Sequence, residues 1–397
     1  MTFDRPLATP RVLVVHPEQQ HSNQLAAALA SAGLLCGYVC GTKQDPELRD
    51  LIGEHRISRS LLWLPARRIV SYLAPPTVRA EAVHRMARYF DRQIARKLKL
   101  IRPDAVVGYE NCAIETFEAA KQLGVASILD VPSVHHQMQA RAGQSRMRPK
   151  FQHEVDVRKD REIALADLIL VCSSLARDSF TEAGIASNRI AILPLGVNLQ
   201  RFCSGSIPNI ARRSDVTTFL FVGHVNAQKG ADLLLHACRQ LSKSHVPFEL
   251  VVVGSHSNSD ASLMAQLRQY GDVLGRVPNS EMSDIYRNAS CLVLPSRFDS
   301  FGQVVAEAMA CGVPVIVSDN VGAKDLVDNG KNGWVIPSND AYALYHNMAE
   351  AAQHPEKLVG MGKAARKTAE QIGWSVYRER AARTLRDFLV SHGSKEK

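Results

Sequence analysis

Two carboxylates, Asp299 and Glu307, lie eight positions apart in the stretch PSRFDSFGQVVAEAMACGVPVIVSD, residues 295 to 319. The apolar run CLVLP before them reads as a buried strand, SRFDSFG as a loop, QVVAEAMAC as a helix and VPVIVSD as another buried strand. An acid therefore stands at each end of the first two turns of one helix, about 12 Å apart along the axis. That is the span of a sugar joined through a diphosphate to a ribose, and the N–H groups of the helix start between the acids suit the phosphates. Glu307 is the only charge in an otherwise apolar helix. A buried carboxylate of this kind is costly unless paired, which favours a functional role over a solvated helix face.

Other residues of chemical interest cluster at the ends of apolar runs. Gly223 and His224 follow TFLFV, and Lys229 lies in NAQKGAD just before a helical stretch. In the first half, LDVPSVHHQ places His135 and His136 after a buried strand, and HPEQQHSNQLA places Gln20 and His21 at a helix start. Each has a plainer reading, as a strand end, a helix start or a loop residue satisfied by backbone. No Asp-x-Asp or His/Cys cluster stands out, so no metal and no cofactor is expected. The eight cysteines contain no Cys-x-x-Cys pair, and several sit in apolar runs, which reads as buried thiols.

The elements that must position these residues alternate along the chain. RVLVVHP, DAVVGYE, VASILDVP, ADLILVCSS and RIAILPLG read as strands with helical stretches between them, and the helix SNQLAAALASAG closes at Gly33. The pattern restarts with TFLFVGHV, GADLLLHACRQLS, FELVVVGS, DVLGRV and SEMSDIYRNA. Alternation of this kind predicts an α/β protein with two Rossmann-like, doubly wound domains whose facing cleft takes the ligand. The expected domains are residues 1–200, 201–375 and a C-terminal helix at 376–397 that packs back on the first. The polar stretch VNLQRFCSGSIPNIARRSD reads as the linker.

DSFGQVVAEAMACGVPV, together with FVGHVNAQKGAD, VLGRVPNSEMSDIYRNASCLVLPS and SDNVGAKDLVDNGKNGWV, resembles glycosyltransferase family 4, retaining nucleotide-sugar enzymes of the GT-B fold. The resemblance is close over residues 216 to 337 and weaker before them. Asp299 stands where the family's Glu-x7-Glu motif has its first glutamate, and His224 stands where an arginine is usual. The resemblance implies that Glu307 binds the ribose of the donor, that Lys229 and His224 meet its diphosphate, and that Asp299, Ser300, Phe301 and Gly302 surround sugar and phosphates. It also implies that Gly223 lets the backbone approach the phosphates and that backbone near Val277 reads the base. His135 matches a histidine near the reacting sugar, while Gln20, His21 and His136 fall on the acceptor side. The implied catalytic set is thus Asp299, Lys229 and His135. The leaving phosphate itself helps deprotonate the acceptor hydroxyl on the same face, so the sugar keeps its anomeric configuration. A non-catalytic nucleotide-binding relative, acting in assembly or at a membrane surface, is the rival reading, and an epimerase of this fold is a third.

The net charge of +9 is unevenly placed. Residues 51 to 103 hold twelve Arg and Lys against three acids, with Trp63, Tyr72 and aliphatics interleaved. Such composition fits contact with an anionic membrane, or a solvated helix face. Nucleic acid is not expected, for no recognition motif accompanies the charge. The first residues lack a secretory leader and no apolar run approaches about 18 residues. The expected setting is therefore cytoplasmic, with peripheral contact at the inner face of the membrane, and the acceptor a sugar, a lipid-linked molecule or a glycan.

Overall fold

The computed structural model describes residues 10–18, 20–42, 45–59, 63–141, 149–203, 216–257 and 260–393, without the side chains of 64, 76, 77 and 149. The chain forms two compact units. The first runs to Val171 and adds Ser179–Leu193 and the chain from Tyr377, while the second is Cys172–Asp178 with Pro194–Val376.

The first unit carries a seven-stranded sheet, all parallel: β1 (Val12–His16), β2 (Leu35–Cys40), β3 (Ile57–Arg59), β4 (Ala105–Tyr109), β5 (Ala126–Val131), β6 (Leu168–Val171) and β7 (Ile190–Ile192). The spatial order is β3-β2-β1-β4-β5-β6-β7. β1 and β4 are buried at every residue, as a strand covered on both faces by helices must be. β2, beside β1, and β3, beyond it at the sheet edge, escape the sequence pattern. LCGYVC is diluted by a half-buried Cys36 and Gly37, and ISR is a three-residue edge strand with exposed Ser58 and Arg59.

The second unit repeats the plan with β8 (Thr217–Val222), β9 (Phe248–Val253), β10 (Gly271–Gly275), β11 (Cys291–Leu294), β12 (Val315–Ser318) and β13 (Gly333–Ile336), in the order β10-β9-β8-β11-β12-β13. Phe219 and Phe221 of β8 enter the core on one face of this sheet, and Leu220 and Val222 the core on the other. The helix Ala231–Lys243 covers the first face with Leu234, Ala237, Cys238 and Leu241, a stripe at three- and four-residue spacing. β13 is a strand that the sequence pattern misses. It opens on Gly333, where a Cβ would stand 2.4 Å from the Val315 carbonyl oxygen, so only glycine lets it pair with β12.

The basic stretch forms the helices Trp63–Leu73 and Pro76–Ile101 of the first unit. Tyr72 is 88% exposed and Leu73 70% exposed. Trp63, which the sequence leaves open to membrane insertion or to the core, is buried edge-on against Phe90, with ring centroids 5.9 Å apart. Leu62, one of the aliphatics interleaved with the arginines, lies outside the described residues. No helix among the described residues is long and apolar enough to cross a membrane. All eight cysteines are free, and six of them are buried.

Candidate active site

In a doubly wound sheet, ligands bind beyond the carboxyl ends of the strands, where the strand order reverses. In the second unit that point lies between β8 and β11, which pair with each other while the chain proceeds outward from them in opposite directions. The loops after these two strands carry most of the candidate residues.

After β8 the chain follows the end of β9: the Gly223 N–H donates to the Val253 carbonyl at 2.9 Å and the Val225 N–H to the Ser255 carbonyl at 2.8 Å. His224 Nδ1 lies 3.0 Å from Ser255 Oγ. The side chain of Asn226 accepts the Lys229 N–H at 2.9 Å and shapes the turn into the helix. Gly230 completes that turn at φ 73°, and a Cβ there would meet the Pro295 carbonyl oxygen at 2.0 Å. The β8 and β11 loops therefore touch backbone to backbone. Arg297 fastens them further, through a two-pronged ion pair with Asp232 at 2.7 Å and its own N–H on the Gln228 carbonyl at 2.8 Å.

On this frame the Lys229 ammonium donates to Asp299 Oδ2 at 2.6 Å, with about a quarter of the lysine and a fifth of the aspartate side chain exposed. The sequence motif assigns the two residues to different parts of a donor, whereas the structure joins them as one ion pair. Asp299 is held in place by its backbone, its N–H bonded to the Asn320 carbonyl and its carbonyl to the Gly322 N–H. The Ser300 carbonyl accepts from Ser173 Oγ at 2.9 Å, and Phe301 is buried. Gly302 then turns the chain at φ 87° into the helix Gln303–Ala310 without a side-chain cap. The N–H groups that start this helix thus have no capping side-chain oxygen, which leaves them suited to an anion.

Glu307 lies on the second turn of that helix. Its Oε2 accepts the Tyr286 hydroxyl at 2.8 Å, and no bond to its Oε1 is found among the described residues. Burial raises the proton affinity of the Glu307 carboxyl, while the Tyr286 hydroxyl and the charge of Arg201 work against the rise. One oxygen is thus fixed and the other remains for a hydroxyl partner. Val277 is half-buried just past β10, whose Gly275 carbonyl accepts the Gly254 N–H at 2.7 Å. All the donor-side candidates belong to the second unit.

In the first unit the strand order reverses between β1 and β4. Gln20 is held at φ 36° in the loop after β1. His21, expected to offer a donor at the helix start, does not cap the helix Ser22–Ser31. Its Nε2 lies 3.0 and 3.1 Å from the two oxygens of Asp130, at the end of β5, and both residues are buried. Tyr109 and Tyr377 present ring edges to His21, and His16 packs on Tyr109. Sequence reasoning did not single out Asp130 as a candidate, although it sits in the LDVPSVHH frame at the end of an apolar strand.

His135 and His136 come together in a second group, with ring centroids 4.3 Å apart. The His135 N–H donates to Ser179 Oγ at 2.9 Å. Burial, aided by the neighbouring His136, lowers the pKa of His135 to about 4 and keeps it neutral. His136 Nε2 lies 2.7 Å from Asp160 Oδ1.

Two parallel Rossmann-like units with these loops define the GT-B fold. The Anabaena protein HepE in complex with UDP is similar at a TM-score of 0.67 and 15% identity, over 95% of this chain and 100% of that one. Sucrose-phosphate synthase from Thermosynechococcus elongatus is similar at a TM-score of 0.71 and 18% identity, over 96% and 100%. At the level of sequence, residues 206–368 match the family model described as glycosyl transferases group 1. D-inositol 3-phosphate glycosyltransferase of Streptomyces bingchenggensis is 32% identical over 203 residues, 47% of this chain and 45% of that protein. The colanic acid biosynthesis glycosyltransferase WcaL of Escherichia coli, so named putatively, is 29% identical over 216 residues, 51% and 52% of the two chains. The chain thus spans about half the length of the curated relatives it matches.

Proposed function

We propose that this protein is a retaining glycosyltransferase that moves a hexose or related sugar from a nucleoside diphosphate to an acceptor hydroxyl, in polysaccharide, glycolipid or glycoconjugate synthesis. The observation that carries the reading is the Lys229–Asp299 ion pair at the strand-order reversal of the second unit, beside an uncapped helix start that leads to Glu307. On binding, the donor diphosphate takes the Lys229 ammonium from Asp299, and the freed carboxylate turns to the hydroxyls of the sugar. The free oxygen of Glu307 accepts from the ribose. As the bond from the anomeric carbon to the phosphate oxygen breaks, charge grows on that oxygen, where Lys229 and the helix-start N–H groups stabilise it most in the transition state. The departing phosphate takes the acceptor proton on the same face, so no covalent nucleophile is needed and retention follows. Neutral His135 serves as a hydrogen-bonding group near the sugar, with Gln20, His21 and His136 on the acceptor side. The transfer itself needs no metal in this scheme.

A uridine diphosphate sugar is the first donor to try, because a protein of the same fold is known with UDP. The acceptor is a sugar, a glycan or a lipid-linked molecule, reached from the cytoplasmic face of an anionic membrane, and nucleic acid plays no part. The rival reading, a nucleotide-binding protein without turnover, draws on the closed Lys229–Asp299 pair and on His224 being held by Ser255. A panel of UDP-, GDP- and ADP-sugars separates the two. Slow hydrolysis of one donor that ends with Glu307→Ala supports the transferase. Nucleotide binding with no hydrolysis or transfer from any donor supports the rival.

A further inference from the structure

We propose that His135, His136 and Asp160 form a site for a divalent transition-metal ion of the zinc class on the first unit. The two histidines are consecutive, yet both rings are buried and lie close, at 35° to one another. His135 ends the loop after β5 and His136 opens the helix His136–Arg141, so the chain turns both inward. They share one partner, Asp160, on the helix Pro149–Leu165. Its Oδ1 lies 2.7 Å from His136 Nε2 and 3.9 Å from His135 Nε2. Among the described residues this is the group of three metal-ligating side chains whose donor atoms all fall within 4.8 Å of one another.

Asp160 makes one good hydrogen bond, to His136, and none to His135, whereas a metal between them would serve both rings. With bonds of about 2.0 to 2.1 Å, a tetrahedral ion holds neighbouring donor atoms about 3.3 to 3.4 Å apart. The two observed separations straddle that range, and a shift of about 0.6 Å in the Asp160 carboxylate brings both to it. The carboxylate is 57% exposed while the rings are buried, which leaves one side for entry and for a water as fourth ligand. Asp156, one turn before Asp160, lies 3.7 Å from His136 Nδ1, too far for a hydrogen bond while its Oδ1 accepts from Gln152 at 2.7 Å, yet on the side from which a carboxylate could orient a metal-bound imidazole. Two features oppose binding and set its strength. The Gln137 N–H reaches His135 Nδ1 at 3.4 Å, a long hydrogen bond that is lost when metal at Nε2 moves the ring proton to Nδ1. Lys159 brings a positive charge nearby, held by Glu110 at 3.1 Å.

The sequence hides this site because Asp160 lies on a separate helix, beyond the reach of any short motif. The proposal does not rest on the transferase reading, and a metal at Nε2 of His135 and His136 would replace their sugar- and acceptor-side roles in it, so the test reads metal rather than activity. Full-length protein is stripped with a chelator and titrated with zinc by calorimetry, then loaded with cobalt(II) for absorption spectroscopy. One equivalent of zinc should bind, about tenfold or more weakly in Asp160→Asn and not at all in His136→Gln. Asp160 is exposed, so its variant should fold as the parent does, and circular dichroism checks this. The cobalt spectrum should show tetrahedral ligand-field bands without thiolate charge transfer. An absence of saturable binding overturns the proposal. So does binding unchanged in both variants, or a thiolate band that persists in both and points to cysteine.

Discussion

Glu307 is a carboxylate that its own helix does not need, since every other side chain of QVVAEAMA is apolar or uncharged and five of them are buried. That made it legible as a candidate from sequence alone. Its Tyr286 partner was not legible, because the two are 21 positions apart and meet only once the helices Met282–Asn288 and Gln303–Ala310 pack. Loss of a carboxylate that bonds ribose hydroxyls costs about 2 to 4 kcal/mol of donor binding, so Glu307→Ala should lose donor affinity and remain folded. Tyr286→Phe removes only the bond that fixes Glu307, and should cost about 1 kcal/mol. Calorimetry with a nucleotide sugar decides, and parental affinity in a folded Glu307→Ala protein would contradict the assignment. The Lys229–Asp299 pair leads to an uneven expectation. With Asp299→Ala the ammonium is released, so a nucleoside diphosphate without sugar should bind at least as tightly as in the parent while transfer falls. With Lys229→Ala the turnover should fall about a hundredfold, more than donor affinity does, because the charge on the leaving oxygen grows in the transition state. If diphosphate binding weakens in Asp299→Ala, the carboxylate is holding the lysine in its binding pose rather than competing for it.

At the scale of the element, long apolar strands were readable and short or diluted ones were not. β1, β4, β8 and β11 announce themselves as unbroken runs, whereas β3 has three residues and β13 depends on a glycine whose reason is the neighbouring backbone. The same holds for Gly230, which reads as a helix start but is needed for its contact with Pro295. What sequence could not supply is the state of groups buried at strand ends. His16, the last residue of β1, has its pKa lowered to about 3, chiefly by burial and then by His21. In the unfolded chain it takes a proton below about 6.5. Between these values the unfolded chain binds more protons, so this contribution to stability is complete above about pH 6.5 and is lost as pH falls towards 3. His135, lowered to about 4, acts in the same direction. Glu162 and Asp91 are buried acids raised to about 8 and about 7, mainly by burial, and they act in the opposite direction, losing stability as pH rises. The difference between variants is therefore more telling than any single curve. His16 Nδ1 accepts the Glu18 N–H at 2.8 Å, a role that an asparagine oxygen can take. His16→Asn should show a smaller fall in Tm than the parent between about pH 7 and about pH 5. Equal falls by scanning calorimetry would mean that His16 titrates alike in both states.

Over the whole molecule the charge is the feature that composition showed most plainly and the structure revised most. The excess of basic residues between 51 and 103 equals the net charge of the chain, and it resolves into two helices of the first unit rather than one docking strip. Trp63 belongs to the core, and Arg67 pairs with Glu18, so neither is free for a membrane. Ile69, Tyr72 and Leu73 take their place, 57%, 88% and 70% exposed, with Arg68 among them. Large apolar side chains so far out of the core, flanked by arginine, are the composition of a helix that lies in a headgroup layer. Each Lys or Arg near an anionic surface adds about 1 kcal/mol of attraction, and a tyrosine and leucine that leave water contribute more. The docking proposed for this protein should therefore need both parts. Binding to vesicles should rise with the anionic lipid fraction and fall with salt as the screening length shortens. Arg68→Glu should weaken it electrostatically, and Tyr72→Ser with Leu73→Ser should weaken it even at low salt, both without loss of fold because these side chains are exposed. Sedimentation with vesicles of graded anionic content measures all three. Protein that stays in the supernatant at low salt, or a Tyr72/Leu73 variant that sediments like the parent, would remove the membrane from the account and leave a soluble acceptor as the substrate to seek.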